Sequence, residues 1–381
     1  MTFEFATAGR ILFGSGTLAQ AAPAAAGLGR RALVVIDRES EQAQTLLKSL
    51  HQEGVGTELY TFSGEPTVVA ACEAAQRARA AKCDLVIGFG GGSAMDLAKA
   101  AAALMTNPGD PFDYLEVIGK GLPLKERPAP CIAIPTTAGT GSEVTKNSVL
   151  ASPEHRVKVS IRHPLMMPVL AIVDPECTLS MPPAVTAATG LDALTQLLEA
   201  FISKKGNPMT DGFCREGLPR AVRSLRRAFE NGTDLKAREE MALASLFSGL
   251  ALANAGLGAV HGFSGPIGGM FEAPHGMVCA ALLPHVMKAN LAALRLRQPD
   301  SPALAKLTEF AQLTGGSAAE DGIKWIAGLC RDLQVPPLSA LGVAEKDFPA
   351  LVGNAQRASS MKTNPVELMA EELTQILHAA L

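Results

Sequence analysis

A chain of 381 residues, 48% of them hydrophobic and 19% charged, has room for about two domains and a large buried core. A net charge of −3 without like-charge blocks gives no electrostatic footprint for nucleic acid or an anionic membrane surface. Seven scattered cysteines form no CxxC pair, and the opening MTFEFATAGRILFGSG lacks the charged and apolar regions of a signal peptide, so a reduced, cytoplasmic protein is expected.

The first half alternates short apolar runs with helical patterns. RRALVVID (Arg30–Asp37) reads as a strand, SEQAQTLLKSLHQEG as an amphipathic helix ending at Gly54, and GTELYTF as a strand. Val68–Lys82 reads as a helix, CDLVIGFGGGS (Cys83–Ser93) as a buried strand running into a glycine loop, and AMDLAKAAAAL as the helix that follows. PCIAIPTTAGTGSE is another strand and loop, SVLAS and HRVKVSIR pair as a hairpin, and LAIVDPE closes the half as a last strand. Strand–helix alternation with β-branched runs predicts a doubly wound parallel sheet covered on both faces.

Composition shifts at Pro182-Pro183, beyond which strand signals almost vanish. Helical patterns cover Val185–Ser203, Pro208–Phe229, Leu235–Val260, His275–Leu294, Ser301–Leu313, Ala318–Leu333, Glu345–Gln356 and Ala370–Leu381. The expected organisation is an α/β domain over residues 1–184 and an all-helical domain over 185–381. Met241–Val260 is 20 residues without a charge, long enough to span a membrane. Its Ser245, Ser248, Asn254 and three glycines favour a buried core helix instead.

Four polar positions stand out among the helices. Asp192 and Gln196 are four residues apart in TGLDALTQLLEAF and so share a helix face. His261 lies in GLGAVHGF and His275 in EAPHGMVCAALLPHV. A carboxylate, an amide and two imidazoles beside small residues suit a divalent-metal site with mixed oxygen and nitrogen ligands. On spacing alone they also read as an ordinary polar helix face and two hydrogen-bonded core histidines. His51, His155, His163, His285 and His378 read as ordinary surface or packed residues.

The glycine loop GFGGGSAMDLAK (Gly88–Lys99) follows a strand and opens a helix. Its backbone N–H groups and the helix N-terminus suit a phosphate, with Ser93 as a hydroxyl donor, although a tight turn without a ligand gives the same pattern. No GxGxxG follows the Arg30–Asp37 strand, so the usual dinucleotide fingerprint is missing. Asp37 at that strand's end can accept from ribose hydroxyls, which favours NAD over NADP, whereas adjacent Arg38 could pair with a 2′-phosphate. PTTAGTGSEVTKNSVL (Pro135–Leu150) places small hydroxyls where open α/β sheets bind ligands. No GxSxG nucleophile elbow occurs.

RILFGSG, GGGSAMDLAK, IPTTAGTGSEVT, LAIVDPE, ATGLDALTQLLEA, LANAGLGAVHG, APHGMVCAALLPHVM and TNPVEL, in this order, resemble the iron-containing (group III) alcohol dehydrogenase family over nearly the whole chain. The resemblance implies the dehydroquinate synthase-like architecture of that family, with a dinucleotide-binding α/β domain, a helical metal-binding domain and a cleft between them. It implies hydride transfer between nicotinamide and an alcohol or aldehyde carbon. Position by position, it assigns Asp37, Gly90, Gly91, Gly92, Ser93, Asp96, Thr136, Thr137, Thr140, Val149 and Lys158 to the cofactor side. Asn147 falls near nicotinamide and substrate, and Asp192, His261 and His275 match three of the family's four metal ligands.

Two departures accompany it. The fourth ligand is normally His, and Gln196 stands there as a weak or absent ligand; a further His that commonly follows the His261 position is Gly265. The expectation is a cytoplasmic homo-dimer or larger that uses NAD(H) and a divalent metal, Fe²⁺ or Zn²⁺, on a small alcohol or aldehyde. It has no nucleic-acid or membrane partner. The alternatives are a metal-independent reductase resembling maleylacetate reductases, and a nucleotide-binding protein that has lost catalysis.

Overall fold

The computed structural model describes residues 2–381, which form two compact units, residues 7–180 and residues 181–381 joined by residues 2–6. Residues 2–6, expected within the α/β domain, pack on the helical unit instead. Phe5 stacks on Phe213 with ring centroids 5.6 Å apart, and the Ala6 N–H donates to Asn254 Oδ1 at 2.7 Å.

The α/β unit contains β1 (Ile11–Phe13), α1 (Ala21–Ala26), β2 (Arg31–Ile36), α2 (Glu41–Gln52), β3 (Gly56–Thr61), α3 (Val68–Ala80), β4 (Leu85–Gly90), α4 (Gly92–Thr106), β5 (Cys131–Pro135), β6 (Asn147–Ser152), β7 (Val157–Arg162) and β8 (Leu170–Val173). The short β1 and α1 were not foreseen as elements. Six strands form one parallel sheet in the order β1-β8-β5-β4-β2-β3. β6 and β7 form the expected antiparallel hairpin, with Leu150 opposite Val159.

Side chains alternate across a strand. Leu33 and Val35 of β2 therefore pack into a core with α3 and α4, while Val34 and Ile36 pack into the opposite core with α1 and α2. With both faces covered, β4 is buried from end to end, which explains its unbroken apolar reading in the sequence. The chain runs outward from β2 to β3, then returns to β4 on the other side of β2. This reversal makes the carboxyl ends of β2 and β4 the place where a doubly wound sheet binds ligands.

The helical unit contains α5 (Pro183–Ile202), α6 (Pro208–Glu230), α7 (Leu235–Ala255), α8 (Ala259–Met270), α9 (His275–Arg297), α10 (Pro302–Leu313), α11 (Ala319–Asp332), α12 (Phe348–Arg357) and α13 (Ala370–Ala380). α5 packs against α6, α7 and α9, and residues 190–202 are buried without a break. A helix buried on every side belongs in the centre of such a bundle, and its buried Asp192, Gln196 and Glu199 therefore need partners there. The single helix expected over Leu235–Val260 is two helices. Gly256 ends α7 at a φ of +71°, a conformation costly for other residues, and α8 leaves at 98° to α7. The uncharged run weighed above as a membrane span is thus broken inside the unit.

Candidate active site

In the α/β unit, several of the residues assigned to the cofactor side meet at the carboxyl ends of β2, β4 and β5. Asp37 follows β2, and its Oδ2 accepts the Gly91 N–H at 2.7 Å. Gly91 is the N-cap of α4, so this carboxylate holds the glycine loop against the end of β2. Thr136 N–H donates to the Gly90 carbonyl at 2.8 Å, which ties the loop after β5 to the loop after β4. A Cβ on Gly92 would stand 2.6 Å from Thr140 Cγ2, and one on Gly91 would stand 3.4 Å from Thr137 Cγ2. Ser93 sits half-buried in the first turn of α4, beside these glycines. The result is a half-buried helix N-terminus lined by backbone N–H groups and small hydroxyls, suited to a diphosphate.

Asp96 lies one turn further along α4. It accepts the Ser142 hydroxyl at 2.5 Å and the Val149 N–H at 3.0 Å, and pairs with Lys99 at 3.1 Å. The buried Lys99 ammonium also donates to Ser142 Oγ at 2.7 Å, Thr145 Oγ1 at 3.0 Å and the Asn147 carbonyl at 2.5 Å. This cation, not singled out in the sequence, fixes the loop from Ser142 to Asn147 where β6 begins. Lys158 on β7 instead pairs with Glu65 at 3.0 Å and has no hydrogen bond with the other cofactor-side residues. Arg38, the competitor to Asp37, donates to Ser180 Oγ at 3.2 Å.

In the helical unit, α5, α8 and α9 bring Asp192, His261 and His275 together. Asp192 Oδ1 lies 3.3 Å from His261 Nε2 and 3.8 Å from His275 Nε2. The approach of α9 to α5 depends on Gly276, where a Cβ would stand 2.1 Å from the Ala188 carbonyl oxygen. His275 is 35% exposed, whereas the side chains of His261 and Asp192 are 8% and 3% exposed, so the cluster opens at His275.

Two further residues join the cluster that the sequence reading passed over. Glu199, buried on α5, accepts the Val260 N–H at 2.7 Å and contacts His261 Nδ1 at 2.7 Å. It thereby caps the start of α8 and turns His261 Nε2 toward Asp192. The signal was present, because Glu199 lies seven residues after Asp192 on the same helix face. Cys279, buried one turn after His275 on α9, places its Sγ 3.6 Å from His275 Nε2 and 3.8 Å from His261 Nε2. Here the signal was the His-x₃-Cys spacing, lost in a reading that treated all seven cysteines as scattered.

Gln196 shares the face of Asp192, as its spacing predicted, but its atoms are turned differently. Its Nε2 donates to Asp192 Oδ2 at 3.0 Å and its Oε1 accepts from Ser248 Oγ at 2.7 Å. A carboxylate only accepts, so in this arrangement the NH₂ faces Asp192 and the oxygen faces Ser248 Oγ, whose one proton is shared with the Ser245 carbonyl at 2.7 Å. Gln196 thus positions Asp192 in this arrangement.

The charges in the cluster reinforce one another. Burial pushes the Asp192 carboxyl up, but the His261 hydrogen bond and the His275 charge outweigh it and hold it below its ordinary value. Burial likewise raises the Cys279 thiol, and the His275 and His261 imidazoles bring it below its ordinary value. Burial lowers His261 and His275, while Cys279 and Asp192 lift both above theirs. Elsewhere burial wins, and the thiols of Cys131, Cys177 and Cys330 are pushed up to about 12. Of the five histidines read as ordinary, His155 bonds Ser152 Oγ at 2.8 Å, His163 accepts the Leu165 N–H at 3.2 Å, and His378 stands edge-on to Phe348.

Residues 8–175 match the family model described as iron-containing alcohol dehydrogenase, and residues 186–381 match that of the Fe-containing alcohol dehydrogenase family, C-terminal. The chain belongs to the iron-containing alcohol dehydrogenase family. It is 38% identical to long-chain-alcohol dehydrogenase 1 of Geobacillus thermodenitrificans, over 96% of this chain and 94% of that protein. It is 36% identical to 1,3-propanediol dehydrogenase of Klebsiella pneumoniae, over 92% of each. Among solved structures, sulfoacetaldehyde reductase from Bifidobacterium kashiwanohense in complex with NAD⁺ superposes with a TM-score of 0.88 at 31% identity, covering 100% of this chain and 99% of that one. This member of the family is therefore an oxidoreductase acting on CH–OH groups, an alcohol dehydrogenase or aldehyde reductase, and the family uses NAD(H) and a divalent metal.

Proposed function

We propose that Asp192, His261 and His275 hold a divalent cation, Fe²⁺ or Zn²⁺, and that the enzyme passes hydride between NAD(H) and a small alcohol or aldehyde. The observation that carries this reading is the spacing of the three donor atoms. Metal bonds of about 2.0–2.2 Å in a tetrahedral shell put neighbouring oxygen and nitrogen ligands about 3.3–3.6 Å apart. Around Asp192 Oδ1, the 3.3 Å separation to His261 Nε2 falls in that range and the 3.8 Å separation to His275 Nε2 lies just beyond it.

A cation there supplies Lewis-acid stabilisation of alkoxide character on the substrate oxygen. The chain's own groups do the rest. Glu199 fixes the ring of His261 so that Nε2 faces the donors, and Gln196 steadies Asp192. Gly90, Gly91, Gly92 and Ser93, with Thr136, Thr137 and Thr140, cradle the diphosphate, and Asp37 accepts from the adenosine ribose. Asp96 and Val149 shape the cofactor side, Lys158 borders it, and Asn147 stands near nicotinamide and substrate. Gly265 has no side chain to carry the alcohol proton, so that proton leaves through water and the ribose hydroxyls. A cytoplasmic homo-dimer or larger agrees with a chain only 19% charged, and a stable monomer in sedimentation at micromolar concentration would contradict it.

Elemental analysis and turnover, followed by NADH absorbance with small alcohols and aldehydes, test the proposal. The expected result is activity lost after chelation and restored by Fe²⁺, Mn²⁺ or Zn²⁺, with His261→Ala and His275→Ala unable to recover. Full activity after exhaustive chelation, with both variants keeping kcat, would make the enzyme a metal-independent reductase.

A further inference from the structure

We infer that Cys279, rather than Gln196, supplies the fourth protein ligand of the metal centre, making it an aspartate–bis-histidine–thiolate site. The inference rests on the cation being held by Asp192, His261 and His275, and deepens that reading.

The geometry points to the sulfur. The chosen oxygen, nitrogen and sulfur atoms of Asp192, His261, His275 and Cys279 all lie within 4.8 Å of one another. With a metal–sulfur bond of about 2.3 Å and a metal–nitrogen bond of about 2.05 Å, tetrahedral ligands stand about 3.6 Å apart. Cys279 Sγ lies 3.6 Å from His275 Nε2 and 3.8 Å from His261 Nε2. The thiol is fully buried and its neighbours at that end are these two imidazoles. Gln196 Oε1 is meanwhile engaged by Ser248, and the amide NH₂ is what faces Asp192. The ligand missing from α5 is thus replaced from α9, one turn after His275.

The substitution changes the chemistry of the centre. On binding, the thiol gives up its proton to solvent and the sulfur lone pair forms the metal bond. Asp192 and Cys279 together then neutralise both charges of a divalent ion, whereas one carboxylate with neutral imidazoles leaves a net +1. A soft thiolate among imidazoles favours Zn²⁺ and Co²⁺ over Mn²⁺. With four protein ligands in place, a substrate oxygen would enter from the open side at His275 as a fifth ligand, the expansion that catalytic centres of this kind undergo.

The test loads the reduced, full-length, chelator-treated enzyme with Co²⁺ and records its absorption, and separately measures X-ray absorption at the zinc edge of the Zn²⁺ form. The expected result is a near-ultraviolet thiolate-to-cobalt charge-transfer band and one sulfur at about 2.3 Å from zinc. Cys279→Ser should lose the band and bind Zn²⁺ at least tenfold more weakly, while Gln196→Leu keeps the band. Metal bound stoichiometrically without sulfur in the wild-type shell overturns the thiolate ligand and leaves the Asp192–His261–His275 reading standing. A wild-type protein that binds neither Co²⁺ nor Zn²⁺ at this site overturns both. The wild-type spectra decide the matter even if Cys279→Ser fails to fold.

Discussion

Replacing Glu199 by Gln removes one charge while keeping the side chain's shape, and the structure says what should follow. The carboxylate serves two donors at once, the Val260 N–H at 2.7 Å and the His261 ring at 2.7 Å. For His261 Nε2 to face Asp192 as a ligand, Nδ1 must carry the proton. A glutamine has one acceptor oxygen, so whichever donor it serves, its NH₂ confronts the other. One buried donor is then unsatisfied, at a cost of about 1–3 kcal/mol, on top of a charge-assisted bond worth about 1.5–3 kcal/mol. If the NH₂ meets His261, the ring is driven to the wrong tautomer. Loss of a carboxylate that orients a ligating histidine costs about 10–100-fold in metal affinity. Chemical denaturation should show a loss of about 3–6 kcal/mol, and competitive chelator titration a Zn²⁺ dissociation constant raised by about 10–100-fold. A Glu199→Gln enzyme that binds Zn²⁺ within twofold of wild type and unfolds at the same denaturant concentration would refute the orienting role.

Three other perturbations are equally specific. Asp37→Gly should relax a preference for NAD(H) by removing the carboxylate that repels a 2′-phosphate, and it also frees the Gly91 N–H; a wild-type enzyme with higher kcat/KM for NADPH than for NADH contradicts this. Burial pushes the Glu143 carboxyl up from 4.5 to about 7, so the folded chain holds a proton that the unfolded chain releases between those values. Stability should therefore fall as pH rises from about 4.5 to about 7 and level off above, by up to about 3 kcal/mol, and denaturation of Glu143→Gln across that range should show the slope removed. Gly276→Ala drives a methyl group into the Ala188 carbonyl, so α9 must shift off α5, costing about 1–3 kcal/mol and most of the activity; an unchanged unfolding midpoint with full turnover would show that the contact is not needed.

The doubly wound sheet was legible because its evidence is local. Period-two patterning, a wholly apolar β4 and a glycine run at a strand's end are properties of consecutive residues. The same holds for Asp192 and Gln196, whose shared helix face follows from their spacing. The packing of α5, α7, α8 and α9 decided the rest. Whether Gln196 offers an oxygen or an NH₂ depends on Ser248, 52 residues away, and the role of Glu199 depends on His261, 62 residues away. Cys279 looked like one scattered thiol among seven until Gly276 let α9 close on α5 and brought its sulfur beside two imidazoles. Spacing along a helix fixes direction only around that helix's own axis. Which donors converge on one point is set by how close the axes approach and at what angle, and the backbone's close contacts determine that.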